Sequence, residues 1–323
     1  SLAVLDEEGV LVEQGSEVPG HVAPVDLIEE ILCMEVIGHA QFLHGKAQGL
    51  QDEYWLIRNA SWAMEERPLK GSGVVIMGGT TGLGLSAARA CVRAGAGVVV
   101  VGRNPENVEK AVAELEELAP GRATGLAGDA VASETAPAAI ASCVEKFGSL
   151  AALYHVAGGS GRSFGDGPLH EVTDEGIDAT LDLNLKSLIR SNRAAVSQFL
   201  EQGTPGSVLN MGSVLGWSPS PKYFSTHVYA AAKSAIIGFS KSVAARYAKD
   251  DIRVNVIAPA LVETPMAKRA AENEAIQSFI ATKQPLDGGR IGCPEDLDDL
   301  VVYLLSPRSR FVTGQVIAVD GGW

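Results

Sequence analysis

Val74-Val-Ile-Met77-Gly78-Gly-Thr-Thr-Gly82-Leu-Gly84 runs from a short apolar stretch through a glycine-rich loop into small residues that continue to Gly95. The apolar stretch reads as a buried strand and residues 83–95 as a helix, so the loop lies where a strand hands over to a helix. In that place each glycine has its own use. Gly78 permits a tight turn, Gly82 lets backbone approach a phosphate, and Gly84 lets helix and strand pack closely. The helix start adds positive potential. Gly78, Thr80, Thr81, Gly82, Leu83 and Gly84 are therefore expected to cradle the pyrophosphate of a dinucleotide.

Outward from this loop the chain alternates in the βαβ manner. Gly97-Val-Val-Val-Val101 is a second buried strand, and residues 107–118 form an acidic amphipathic helix. Further strands are expected at 151–156, 207–211, 252–257 and 316–319, with long helical stretches between most of them. Near-continuous apolar strands alternating with helices predict a parallel sheet covered on both faces. The fold class is α/β, a Rossmann-like doubly wound domain over residues 71–323. Residues 1–70 break this rhythm. Asp26 and Glu29 suggest a capping box that opens a helix running to about residue 45. A second candidate helix, 52–66, carries Tyr54, Trp55, Ile57 and Trp62. This helical arm either packs on its own core or another subunit, or forms a lid over the substrate pocket.

A chain of 323 residues with 46% hydrophobic content can bury a large core without disulfides or metal. No apolar run approaches the ~20 residues of a membrane span, and the first residues lack the basic and apolar regions of a signal peptide. Cys33, Cys91, Cys143 and Cys293 form no C-x-x-C pair, which suits a reducing, cytoplasmic setting. The net charge of −13 argues against nucleic acid as a partner. That charge is uneven: residues 1–70 hold 13 acidic and 4 basic side chains, a balance of −9 that leaves −4 for the rest. His39 and His44, five apart with no third ligand, do not make a metal site. Ser213 lacks a Gly-x-Ser-x-Gly elbow, which argues against a hydrolase.

Tyr229-Ala-Ala-Ala-Lys233 places a phenol and an ammonium four residues apart, on one face of a helix. A phenol ordinarily titrates near ~10, and a nearby ammonium favours the phenolate and lowers that value. Such a pair suits proton transfer at neutral pH. About twenty residues beyond the glycine loop, the second strand ends in Gly102-Arg103-Asn104. An NAD site usually holds an acidic side chain there, whereas an arginine accommodates a 2′-phosphate. Arg103 thus favours NADP over NAD.

Taken in order, these motifs resemble the short-chain dehydrogenase/reductase family, in its classical single-domain form, over about residues 73–323. The resemblance rests on the glycine loop, Gly128-Asp129-Ala130, Asn184 in Asp182-Leu-Asn-Leu-Lys, Ser213 in Asn210-Met-Gly-Ser-Val, and Tyr229 to Lys233. It continues through Arg253-Val-Asn-Val-Ile-Ala-Pro259, Val262-Glu-Thr264 and Val319-Asp-Gly-Gly. It implies a hydride transfer between a nicotinamide and a secondary alcohol or ketone. Tyr229 would act as general acid for reduction or base for oxidation, with Lys233 lowering its pKa and holding the nicotinamide ribose. Ser213 would bind the substrate oxygen, and Asn184 would bend its helix and anchor a water. The resemblance also puts Asp129 and Ala130 near the adenine and Ala157 and Gly158 along the cofactor. Pro259, Val262 and Thr264 would fix the carboxamide.

The chain departs from the family pattern in places. Asn-Asn-Ala-Gly after the fourth strand reads His155-Val-Ala-Gly158, with His155 taken as a structural substitute. Ala260 replaces a glycine after Pro259, and Ser213 and Tyr229 lie 16 apart, a longer spacing than is common. The extra length falls in 217–227, where Trp217, Tyr223 and Phe224 make either an apolar pocket wall or a proline-braced surface loop. Arg162, in loop 158–167, either meets an anionic substrate or is solvated. Segment 265–290 would cover the site. Ala-rich helices at 177–202 and 228–249 suggest a homodimer or homotetramer. An inactive nucleotide-binding scaffold of the same fold is the alternative from another class.

Overall fold

The computed structural model describes residues 67–267 and 272–323, together with two short strands, β1 (Ala3–Leu5) and β2 (Leu11–Glu13). The chain divides into two compact units, Ser1–Glu66 and Arg67–Trp323. In the first, β1 and β2 pair antiparallel with Val4 opposite Val12, an element not anticipated from sequence. The helices expected at 26–45 and 52–66, and both His39 and His44, lie outside the described residues.

In the second unit, β3 (Gly73–Met77) alternates its side chains between two cores. Val74 and Ile76 join one apolar cluster, Val75 and Met77 the other. All four are fully buried, which only a strand covered on both faces requires. The neighbouring β4 (Gly97–Gly102) does the same with Val98 and Val100 against Val99 and Val101. The strands β5 (Ala123–Ala127), β6 (Ala152–His155), β7 (Gly206–Met211), β8 (Ile252–Pro259) and β9 (Val316–Val319) complete a seven-stranded sheet. Its order is β5-β4-β3-β6-β7-β8-β9, and every pairing is parallel. The strand β5, Ala-Thr-Gly-Leu-Ala, forms one edge and is only partly buried. It has no continuous apolar run, which is why sequence periodicity missed it.

Helices fill the crossovers. They are α1 (Gly82–Arg93), α2 (Pro105–Leu118), α3 (Thr135–Phe147), α4 (Asp174–Leu181), α5 (Ser187–Gln202), α6 (His227–Tyr247), α7 (Glu274–Lys283) and α8 (Asp298–Leu305). Asn104 caps α2 through its side-chain oxygen, with Pro105 at the first helical position. The helix expected over 177–202 is interrupted: a π-turn at Asp182–Lys186 separates α4 from α5. The order of the strands reverses between β3 and β6. A crevice therefore opens beyond their carboxyl ends, the usual ligand position in such sheets. Among the described residues no helix is long and apolar enough to cross a membrane.

Candidate active site

An open cavity of about 1490 Å³ occupies this crevice. Pockets for drug-sized ligands run to roughly 300–1,000 Å³, so the space could hold a dinucleotide and a second small molecule. At its centre Gly78 adopts φ +85°, and a Cβ there would stand 2.8 Å from the Ala157 amide nitrogen. The loop after β3 and the loop after β6 thus touch backbone to backbone. Gly82, at φ +51°, faces Thr264, whose methyl lies 3.3 Å from where its Cβ would sit. Thr80, Thr81 and Leu83 line the same cavity, as do Ala157 and Gly158. Gly84 does not. A Cβ on Gly84 would overlap the Gly78 carbonyl oxygen, so this glycine serves the packing of α1 on the loop.

Beyond β4, Arg103 and Glu106 border one end of the cavity, and Asp129 and Ala130 lie nearby. Gly102 has a local cause. A Cβ at this position would overlap the Thr80 side chain, so an acidic residue has no room there. Arg103 is exposed and forms no ion pair among the described residues. Asp129 has local work: its Oδ1 accepts from the Val131 amide at 2.9 Å.

At the other end, Ser213, Tyr229 and Lys233 line the cavity together. Ser213 sits just past β7, and Tyr229 and Lys233 share the inner face of α6. The Ser213 hydroxyl lies beside the Tyr229 phenol. Lys233 is buried and donates to the Met211 carbonyl at 2.8 Å, with its Nζ 5.4 Å from the centre of the Tyr229 ring. Burial pushes the Lys233 ammonium down to about 7. The expected lowering of the tyrosine by Lys233 does not emerge. Burial raises the Tyr229 phenol above its ordinary value, and the opposing influence is the Ser213 hydroxyl. Asn184 is fully buried in the π-turn and does not reach the cavity surface. Its amide donates to the carbonyls of Gly159 at 2.8 Å and Thr180 at 2.9 Å, and its oxygen accepts from the Gly159 amide at 3.0 Å. Asn184 thus ties the Thr180 carbonyl, one turn back, to the loop after β6. Pro259, Val262 and Thr264 border the cavity at the end of β8.

His155 lies outside the cavity, as a structural substitute should. Its ring is buried between Ser187, 3.3 Å from Nε2, and Ser191, 2.7 Å from Nδ1. Of the three aromatic residues expected as a wall, only Phe224 lines the cavity; Tyr223 packs behind it and Trp217 is 47% exposed. Arg162 lines the cavity too. Sequence offered no signal for two further residues. Asp166 is buried, and its carboxylate accepts from the amides of Val228 at 3.1 Å and Tyr229 at 2.8 Å, holding the start of α6 from 62 and 63 residues away. Trp323 borders the cavity beside Phe224. Among the described residues no cluster could hold a metal ion.

The sequence and the fold both have known relatives. A family model described as enoyl-(acyl carrier protein) reductase matches residues 78–323. The 2,5-dichloro-2,5-cyclohexadiene-1,4-diol dehydrogenase of Sphingobium indicum is 32% identical over 256 residues, covering 79% of this chain and 98% of its own. A protein named inactive 2-(S)-hydroxypropyl-CoM dehydrogenase 2, from Xanthobacter autotrophicus, is 35% identical over 239 residues, 73% of this chain and 98% of its own. A solved structure of a short-chain type dehydrogenase/reductase from Mycobacterium ulcerans matches with a TM-score of 0.73 and 31% identity, covering 79% of this chain and 90% of the other. With sheet order, glycine loop and sequence in agreement over the same span, the chain belongs to the short-chain dehydrogenase/reductase family of oxidoreductases.

Proposed function

We propose that this chain transfers a hydride between NADP(H) and a secondary alcohol or its ketone, through Asn184, Ser213, Tyr229 and Lys233. The observation that carries the reading is that Ser213, Tyr229 and Lys233 line the same cavity as the glycine loop. When bound, the nicotinamide supplies or receives the hydride. The protein's own groups handle the proton. A phenol whose pKa is raised by burial stays protonated at neutral pH, so Tyr229 is a donor, and the reductive direction suits it. Ser213 donates a hydrogen bond to the carbonyl oxygen as negative charge grows there. Lys233, buried with its Nζ 5.4 Å from the centre of the Tyr229 ring, would hold the nicotinamide ribose. Asn184 keeps the Gly158–Gly159 backbone in place against the loop that carries Gly78.

The cofactor preference rests on Arg103, a guanidinium at the cavity edge with no ion-pair partner among the described residues, where a 2′-phosphate would find a fork-shaped partner. Glu106 borders the same end and supports NAD as the second reading, since a carboxylate there can accept from ribose hydroxyls. A homodimer or homotetramer is part of the proposal. Along α6, Ala231, Ser234, Ala235, Gly238, Ser242 and Ala245 form one exposed small-residue stripe, and a Cβ on Gly238 would meet nothing within 4 Å.

Tyr229→Phe should lower turnover by ~10²–10⁴-fold while leaving NADPH binding within about threefold of wild type. Retained turnover would remove the mechanism, whereas a wild type without turnover would favour the scaffold reading, for which the inactive relative gives a precedent. Arg103→Ala should weaken NADPH by about 10–100-fold and NADH far less. Equal effects on both would hand the preference to Glu106 and NAD.

A further inference from the structure

The lining of the cavity is of two unlike kinds. Ser160, Arg162 and Ser163 supply polar groups. Val214, Leu215, Phe224 and Trp323 supply apolar ones, with the two rings' centroids 6.0 Å apart and their planes tilted by 58°. Behind these two rings Phe279 meets Trp323 edge-on at 5.8 Å and packs on Tyr223 at 5.1 Å. Ile276 and Ile280 of α7 are buried in the same cluster. Tilted and edge-on rings at such separations attract one another beyond their simple burial. The apolar lining is a packed aromatic body.

It is also rigid. Trp323 follows Gly321 and Gly322, at φ +61° and +100°, a conformation that only glycine adopts readily. The Gly322 amide donates to the Asp320 carboxylate at 3.0 Å, and the Leu286 amide donates to the Gly321 carbonyl at 3.0 Å. Gln284, buried at the end of α7, clamps Leu261 by accepting from its amide at 2.9 Å and donating to its carbonyl at 3.2 Å. The wall is thereby tied to the end of β8. The Trp323 indole N–H is already used, donating to the Ser218 hydroxyl at 3.1 Å. That donor is not left for a polar substrate group. Rings that line a cavity without a free donor gain most from covering by another apolar ring.

Building on the hydride-transfer reading, we infer that the substrate carries an aromatic or similarly flat apolar ring next to its carbonyl carbon. The ring seats against Phe224 and Trp323, and Trp323 is a residue that determines specificity. With the carbonyl oxygen on Ser213 and Tyr229, the ring side faces this wall and the remaining substituent faces Ser160 and Ser163.

The test compares acetophenone with 2-butanone on the full chain with NADPH. Wild type should favour acetophenone in kcat/KM by roughly tenfold or more, the scale on which an apolar pocket discriminates. Trp323→Ala and, separately, Phe224→Leu should cut that ratio about tenfold, chiefly through the KM for acetophenone. A ratio that both variants leave within twofold of wild type overturns the inference while hydride transfer stands. If neither ketone is turned over, the melting temperature separates the two ideas. Acetophenone that raises it in wild type but not in Trp323→Ala keeps the ring seat and removes the hydride-transfer reading. No shift in either protein, with no turnover, removes both.

Discussion

At the β3–β5 end of the cavity the walls are backbone; at the β7–β9 end they are side chains brought from far along the chain. Gly78, Gly82 and Gly84 act within seven residues, and each is constrained by what a Cβ would strike. By contrast, Asp166 reaches the start of α6 across 62 residues, and Trp323 reaches Ser218 across 105. A local backbone device tolerates no substitution but needs no distant partner. A long-range side-chain device fails by degrees, and its function depends on two segments meeting. Predictions can be ranked on that difference.

The largest effect belongs to the backbone end. Gly84→Val forces a branched side chain into the Gly78 carbonyl, an overpacking that costs about 3 kcal/mol or more. For a unit of this size the melting temperature should fall by roughly 6–12 °C. Gly167→Ala, where an added Cβ meets nothing within 4 Å, should shift it by less than about 2 °C. Similar shifts for the two variants, read by differential scanning calorimetry, would break the claim that the loop is held by close backbone approach.

At the side-chain end, Asp166→Ala strips the acceptor from the Val228 and Tyr229 amides. Tyr229 then loses its anchor at the first turn of α6. A displacement of about 1 Å can cost ~10²-fold in rate, so kcat should fall on that order while the KM for cofactor moves less than about threefold. Asp166→Asn keeps one acceptor oxygen and should recover most of the loss. An Asn variant no better than Ala, or a matching rise in cofactor KM, would show that Asp166 supports the fold without positioning Tyr229.

What sequence revealed follows the same division. The strand–loop–helix around Gly78 and the Tyr229–Lys233 spacing are short-range patterns, set by turn sterics and helical pitch. They could be read residue by residue. The strand β5 escaped because an edge strand of Ala, Thr and Gly carries no apolar period. The π-turn at Asn184 was foreseen only as the bend that the family resemblance implies, because its cause is a distant loop: the side chain bonds Gly159. Asp166 and Trp323 look like an ordinary loop carboxylate and a lone aromatic until the fold brings Tyr229 and Phe224 to them. In the segment 217–227, Trp217 was the most conspicuous aromatic, yet Phe224 is the one that reaches the cavity.

The smallest effect tests how His155 stands in for an asparagine. Burial and the nearby Lys233 charge depress its pKa to about 3, far below the ordinary 6.5. The unfolded chain therefore binds a proton that the folded chain refuses between about pH 6.5 and 3. Stability that is complete above pH 6.5 is lost as pH falls through that window, with a slope approaching ~1.4 kcal/mol per pH unit. Asp298 opposes this, because burial raises its carboxyl to about 6 and the folded chain takes up that proton first. The contribution of His155 is thus the difference between wild type and His155→Asn, in which Asp298 is common to both. That difference should be constant above pH 7 and shrink by about 2 kcal/mol on going to pH 5. The local hydrogen bonds leave room for the opposite result. Ser187 donates to the Leu183 carbonyl at 2.6 Å and Ser191 to the Leu188 carbonyl at 3.0 Å, so both hydroxyl oxygens can accept from a doubly protonated ring. The 3.3 Å separation from Ser187 makes that second bond weak, and burial beside a lysine outweighs it. Parallel stability curves for the two proteins from pH 7 to pH 5 would reverse that ranking, with an imidazolium held in the core by two serines.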